Sequence, residues 1–288
     1  MQCQWVHEFA ADTEGRYDFI STHLYPTDPN CTWPAPGYSD IDCFANTIID
    51  AHSKVPAGKQ FLLTEFNAGL GNIELLYSSY AAAFVFRNLP QLEGILDVWS
   101  YWTFTDVFEE NGMHSAPFEG YNYGIQTVQG IKKPAYRAYE LLKTAGNSKL
   151  ATAIIGGNAA NETVTAFTTF DNASKTTSVF ASNFAPQFFA ITEESIVVSL
   201  SSSNTANCST GYLPSATYTL IGGTSGDVHA AWVSMGSPAY PTPAQMKALE
   251  LASIPYSASI PIVQSGSSCT VTLQLPAYSV ARIDFLSP

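Results

Sequence analysis

The chain has 288 residues, 46% of them hydrophobic and 12% charged, so it can bury one large core or two ordinary ones and is too apolar to be disordered. A net charge of −12, with the 12 lysines and arginines forming no basic stripe, argues against a nucleic-acid or anionic-membrane partner. No apolar run reaches membrane-spanning length.

Taken in chain order, Tyr17 to Tyr25 is a short strand pattern closed by Pro26. Ser39 or Asp40 is placed to cap a helix whose apolar face includes Ile41, Phe44, Ile48 and Ala51 at helical spacing. Phe61 to Phe66 is an apolar run after a Pro- and Gly-containing loop and reads as a buried strand. Asn72 to Leu89 is a long helical pattern closed by Pro90, and Val98 to Phe104 reads as another buried strand. Pro134 opens a helix with Tyr136, Tyr139 and Leu142 on one face.

Strands and helices in alternation predict βα units and a parallel sheet, where function collects at the C-terminal strand ends. His23, Tyr25, Glu65, Trp102 and Phe104 fall at or near such ends. After a linker at about Thr144 to Ala151 the character changes. Ser, Thr, Ala and Val dominate, in short runs such as Thr163–Phe167 and Ser195–Leu200 separated by turns, which predicts an antiparallel β-sandwich. A short helical piece is expected around Pro241 to Ala252. The expected division is 1–148 and 149–288.

The five cysteines contain no CxxC pair. Cys31 and Cys43 bracket a Pro-rich loop, and Cys208 and Cys269 lie in the second half. The expectation is disulfides Cys31–Cys43 and Cys208–Cys269 with Cys3 left over; five reduced, buried thiols are the alternative. Four sequons, at Asn30, Asn161, Asn172 and Asn207, in a lysine-poor chain favour N-glycosylation and a secreted, extracellular context. Met1 to Trp5 has neither the basic nor the apolar region of a signal peptide, so the native N-terminus is expected upstream.

Three segments carry chemistry. In Thr64-Glu65-Phe66-Asn67 a carboxylate leaves a buried strand, so it has a task or an ion-pair partner. Trp99 to Gly112 alternates aromatics and then gathers Asp106, Glu109 and Glu110, an aromatic plate beside carboxylates that suits a sugar or, equally, a core strand followed by an acidic turn. In Asp18 to Pro26, His23 either contacts a ligand or serves the structure.

These segments, in this order, resemble glycoside hydrolase family 39, the β-xylosidase and α-L-iduronidase family. The matching stretches read DFISTHLYPTD, TEFN, YWTFTDVFEE, KKPAYRAYELL and, in the last strand, LPAYSVARIDF. The resemblance covers most of residues 5–145 and that final strand. It implies a (β/α)8 TIM barrel followed by a β-sandwich, α/β plus all-β, and hydrolysis of glycosides with retention. It implies Glu65 as nucleophile at the end of strand seven, with His23 and Tyr25 contacting sugar after strand six. Trp102 and Glu110 do so after strand eight, with Asp106 and Glu109 beside them. No cofactor or metal is implied, since the sequence has no HExxH and no clustered histidines.

The family's acid/base is a glutamate in an Asn-Glu-Pro motif at the end of strand four, and this sequence has none. Asn161-Glu162-Thr163 lies in the wrong half, and Glu8 resembles a residue of the outward-facing helix after strand five. The chain is therefore expected to be a C-terminal portion holding strands six to eight, inactive or nearly so by itself. The expected partner is a β-xyloside or related oligo- or polysaccharide, with self-association left open. The competing readings are a non-catalytic carbohydrate-binding or relic protein built on the sandwich, and missing strands supplied by a separate polypeptide.

Overall fold

The computed structural model describes residues 2–14, 16–28, 31, 40–71, 74–107, 116–120, 122–156, 162–187, 189–201, 215–265 and 268–286. Helix α1 (Gln2–Asp12) leads into β1 (Phe19–Leu24), α2 (Cys43–His52), β2 (Gln60–Phe66), α3 (Ser79–Asn88), β3 (Val98–Tyr101) and α4 (Pro134–Lys143). The three strands form a parallel sheet in the order β1-β2-β3, joined by the helical crossovers that parallel pairing requires.

From there the fold is mostly antiparallel: β4 (Ser148–Leu150), β5 (Val164–Asp171), β6 (Thr176–Asn183), β7 (Glu194–Ser201) and β8 (Ser215–Ile221). Two helices follow, α5 (Val228–Ser234) and α6 (Pro243–Ala252), then β9 (Tyr256–Pro261), β10 (Val263–Ser265), β11 (Ser268–Leu275) and β12 (Ser279–Leu286). A six-stranded sheet β4-β5-β6-β12-β8-β9 stacks on a three-stranded sheet β10-β11-β7. Val179, Ala281 and Ile283 from the first meet Val271, Leu273 and Leu275 from the second, the alternating inner faces of a β-sandwich.

Several local expectations shift. The second helix starts at Cys43, with Asp42 rather than Ser39 or Asp40 at its N-cap, although Asp40 still accepts from the Asp42 N–H at 2.9 Å. Of the long pattern from Asn72, the described part is a 3-10 turn Glu74–Tyr77 followed by α3. Ser78 takes extended backbone and accepts from the Tyr80 N–H at 3.2 Å, so it begins a new helix. Strand β3 is shorter than expected and is exposed where burial was expected, Val98 being 51% exposed, because among described residues β2 alone pairs with it. The linker contains β4, which pairs with β5. Cys31 and Cys43 form a disulfide with Cα atoms 5.8 Å apart. Cys269 is disulfide-bonded too, and Cys208 lies outside the described residues, as do the sequons at Asn30, Asn161 and Asn207.

Helix α3 joins the two halves. All ten of its residues are buried. On one side the Phe84 ring sits 4.9 Å from Phe44 of α2; on the other, Tyr80 and Phe84 meet Phe184, at 5.2 and 5.8 Å, and Phe86 meets Phe180 at 5.9 Å. One apolar cluster therefore runs from Ile20 and Phe61 through α3 to Phe180, Ile221 and Val280. A boundary at 148/149 divides the chain but not its core. The one charge on α3, Arg87, is buried and fully paired. Nε and Nη2 donate to the two Asp42 oxygens at 2.6 and 2.8 Å, and Nη1 donates to the Glu162 carbonyl at 2.7 Å.

Burial alone would raise the Asp42 carboxyl, but hydrogen bonds from Arg87 and Gln91 and the Arg87 charge outweigh it and hold the group below its ordinary range. A depressed carboxyl contributes stability that is complete above its unfolded value of about 4 and disappears as pH falls through the lower folded value. Asp42→Asn should therefore melt below the parent at neutral pH. The gap should narrow in strongly acid buffer, and thermal unfolding followed by circular dichroism across a pH series reads it.

Candidate active site

The site is built on a slip in the central strand. Thr22 of β1 pairs with Leu63, yet His23 pairs with Glu65, and against β3 the same strand again gains one residue between Leu63 and Phe66. Strict alternation from Phe61 and Leu63, both buried against the helices, would turn Glu65 toward that same face. The extra residue inverts the phase. Phe66 takes the helix-packed position and is fully buried, and Glu65 emerges beside the end of β1.

There it meets two groups from β1 and the turn after it. The Tyr25 hydroxyl donates to Oε1 in a short hydrogen bond, and His23 Nδ1 lies 3.3 Å from Oε2. Burial first, then the hydrogen bond to and charge of Glu65, raise the Tyr25 phenol far above its ordinary value, so it remains a donor at any working pH. Tyr25 is itself held by Asp28, which accepts its backbone N–H at 2.9 Å, and the Thr27 hydroxyl accepts the Leu70 N–H at 3.1 Å. Glu65 and His23 stay reachable, with side chains 18% and 42% exposed. A carboxylate with both oxygens engaged and one face open can attack an electrophilic carbon without rotating away.

The floor is polar. Asn67, fully buried, accepts from Tyr101 OH at 2.7 Å and from the Ala68 N–H at 2.6 Å, and its Nδ2 donates to the carbonyls of Trp102 and Tyr123. The Trp102 N–H donates to the Phe66 carbonyl at 2.7 Å, and the Trp102–Thr103 peptide is cis. Lys133 Nζ lies 2.8 Å from both Asp106 oxygens, and Asp106 Oδ1 also accepts from Gly124 N–H at 2.8 Å. Both charges are buried. Burial pushes the Asp106 carboxyl up and the Lys133 amine down, each opposed by its partner's charge. Gly124 has no room for a side chain, since a Cβ there would lie 2.3 Å from the Thr105 carbonyl carbon.

The sequence profile of the Glycosyl hydrolases family 39 matches residues 3–268. This chain belongs to that family. A β-xylosidase of Caldicellulosiruptor saccharolyticus is 30% identical over 155 residues, 51% of this chain and 32% of that protein. A β-xylosidase of Geobacillus stearothermophilus is 33% identical over 89 residues, 31% of this chain and 18% of that protein. A crystal structure of a monomeric β-xylosidase from Caulobacter crescentus CB15 shares the fold, with a TM-score of 0.71 at 22% identity over 99% of this chain and 59% of that one. The chain thus corresponds to part of the length of each of these relatives.

Of the residues expected from the family 39 motifs, the structure brings His23, Tyr25 and Glu65 together. Trp102 stands at the end of the β2–β3 ladder with its ring partly buried against the core. Asp106 is corrected: its carboxylate is fully buried against Lys133 beneath the site. Glu109 and Glu110 lie outside the described residues. Glu8 is exposed on α1, facing outward as expected. Sequence reading missed Asn67, Tyr101, Tyr123 and Lys133. The asparagine directly after the Glu65-Phe66 pair and the lysine before Pro134 were the available signals.

Asp106→Ala should strand the Lys133 ammonium in the interior and lower unfolding stability by about 3–5 kcal/mol. Pairing Asp106→Leu with Lys133→Met should return much of that loss. Urea denaturation of the three variants beside the parent measures both.

Proposed function

We propose that Glu65 is the nucleophile of a retaining glycoside hydrolase acting on β-xylosides or related glycosides. The observation that carries the reading is the pair of contacts from His23 and Tyr25 to the two Glu65 oxygens at the C-terminal ends of parallel strands. In a retaining reaction the carboxylate displaces the leaving group at the anomeric carbon and forms a glycosyl ester, which water opens in a second displacement. Tyr25 holds Oε1 and tempers its charge, and His23 stands beside Oε2, the oxygen that attacks. The two β-xylosidases that this chain resembles in sequence favour xylosides.

The same chemistry needs a second carboxyl about 5 Å from the first to protonate the departing oxygen. Since this sequence has no Asn-Glu-Pro, we assign that group to polypeptide outside these 288 residues. We further assign β1, β2 and β3 to strands six to eight of a (β/α)8 barrel. Exposed apolar side chains on the outer strands, Phe19 at 50% and Val98 at 51%, favour a sheet that continues on both sides. The alternative of a binding module made of the sandwich alone has the shared core against it: removing α3 would bare Phe180, Phe184 and Val280.

A leaving group that departs unprotonated removes the need for the acid. Incubation of the chain with 2,4-dinitrophenyl 2-deoxy-2-fluoro-β-xyloside should place one fluoroxylosyl ester on Glu65, read by peptide mass spectrometry, and Glu65→Gln should take none. A label elsewhere, or none, sinks the nucleophile assignment. Xylosides with poor leaving groups should turn over slower by roughly 10²–10⁴-fold than in a polypeptide that also carries the acid.

We also infer a secreted glycoprotein. Disulfide-bonded Cys31, Cys43 and Cys269 favour an oxidising compartment, and Asn172 of the sequon Asn172-Ala173-Ser174 is exposed in the β5–β6 turn. Expression through a eukaryotic secretory pathway should give a glycan at Asn172, removed by peptide-N-glycosidase and absent in Asn172→Gln; an unmodified Asn172 peptide counts against it.

A further inference from the structure

Strands β8 and β9 are antiparallel neighbours, which a turn of a few residues could join. The chain instead runs through residues 222–255 and sends α5 to the other half of the molecule. Asp227 caps this helix, accepting from the Ala230 N–H at 3.0 Å, and Val228 and Trp232 are buried.

We infer that α5 is a positioning element for the Glu65 centre, acting through Phe118 and Tyr77; its catalytic part rests on the nucleophile reading above. The Trp232 ring lies 5.6 Å from Phe118, and its Nε1–H donates to the Pro238 carbonyl at 3.1 Å, which locks its orientation. His229 stands 5.4 Å from both Tyr77 and Phe118. Tyr77 donates its hydroxyl to the Gly120 carbonyl and presents its ring 5.1 Å from Lys133 Nζ. Lys133 in turn donates to the Asn122 carbonyl at 3.2 Å while holding Asp106. The next residue completes the path: the Tyr123 carbonyl accepts from Asn67 Nδ2 at 3.1 Å and from the Thr103 N–H at 3.1 Å, and its hydroxyl accepts from the Gly71 N–H at 2.9 Å. Asn67 follows Phe66 and Glu65 directly. A helix of the sandwich region is thereby coupled, through aromatic rings and then hydrogen bonds, to the strand end that carries the carboxylate.

The test uses the full chain with Trp232→Ala, Trp232→Phe and, on the exposed side of α5, Val233→Ala. Two readouts are taken: the kinetics of Glu65 labelling by the fluoroxyloside, and hydrogen exchange by residue. Trp232→Ala should slow labelling at saturating probe by roughly ten-fold or more with little change in the half-saturating concentration. Trp232→Phe should recover most of the rate, and Val233→Ala should match the parent. Exchange at residues 116–120, 122–127 and 60–71 should rise in Trp232→Ala, with 176–183 and 279–286 unchanged. Parent-like labelling and exchange in Trp232→Ala would overturn the inference, as would a rise in exchange spread evenly over the sandwich strands. If the parent itself takes no label, the nucleophile reading falls and exchange decides alone: a selective rise at 116–127 and 60–71 sustains the coupling, and a uniform or absent rise refutes it.

Discussion

A helix with no exposed side dictates how this molecule is assembled. Every residue of α3 is buried, with the parallel sheet and α2 on one flank and the six-stranded antiparallel sheet on the other. A cylinder that must be covered all round cannot be satisfied by either half alone. The single cation on it cannot reach water, so Asp42 and the Glu162 carbonyl must meet it, one from each half. The six-stranded sheet is in consequence apolar on both faces, one meeting α3 and the other the three-stranded sheet.

On that rigid base the candidate site is a matter of phase. One added residue in β2 changes which way Glu65 points, and parallel neighbours on both sides hold the slip in place. The turn after β1 then delivers Tyr25, with Asp28 fixing its backbone and the Cys31–Cys43 disulfide tying the loop to the first residue of α2. Beneath, the Asp106–Lys133 pair serves as a buried fastener. It organises the Gly124 amide and the Asn122 carbonyl, and through Tyr123 it reaches Asn67.

Much of the fold was legible locally. Phe44, Ile48 and Ala51 repeat at helical spacing and do face inward, Pro134 opens α4, and the last strand read from LPAYSVARIDF is β12. Less legible were features that depend on distant partners. The break at Ser78 interrupts a pattern that is apolar on every side, where periodicity carries no boundary. Helix α5 is seven residues long, too short for a period to show, and only Asp227 marked it. The exposure of β3 follows from which strands stand beside it, not from its own apolar residues.

The sequence by itself determined the family, the parallel-then-antiparallel order of elements, and the candidacy of Glu65, His23 and Tyr25, because motifs and side-chain periods are properties of neighbouring residues. Tertiary structure alone decided that Glu65 turns away from the helices, that Asp106 belongs to Lys133 rather than to a ligand, and that the two halves share one core. Each of those outcomes depends on contacts between residues tens of positions apart, such as Tyr25 with Glu65, 40 residues on, or Asp106 with Lys133, 27 residues on. No local pattern encodes such pairings; they exist only once strands have registered and a buried charge has found its counter-ion.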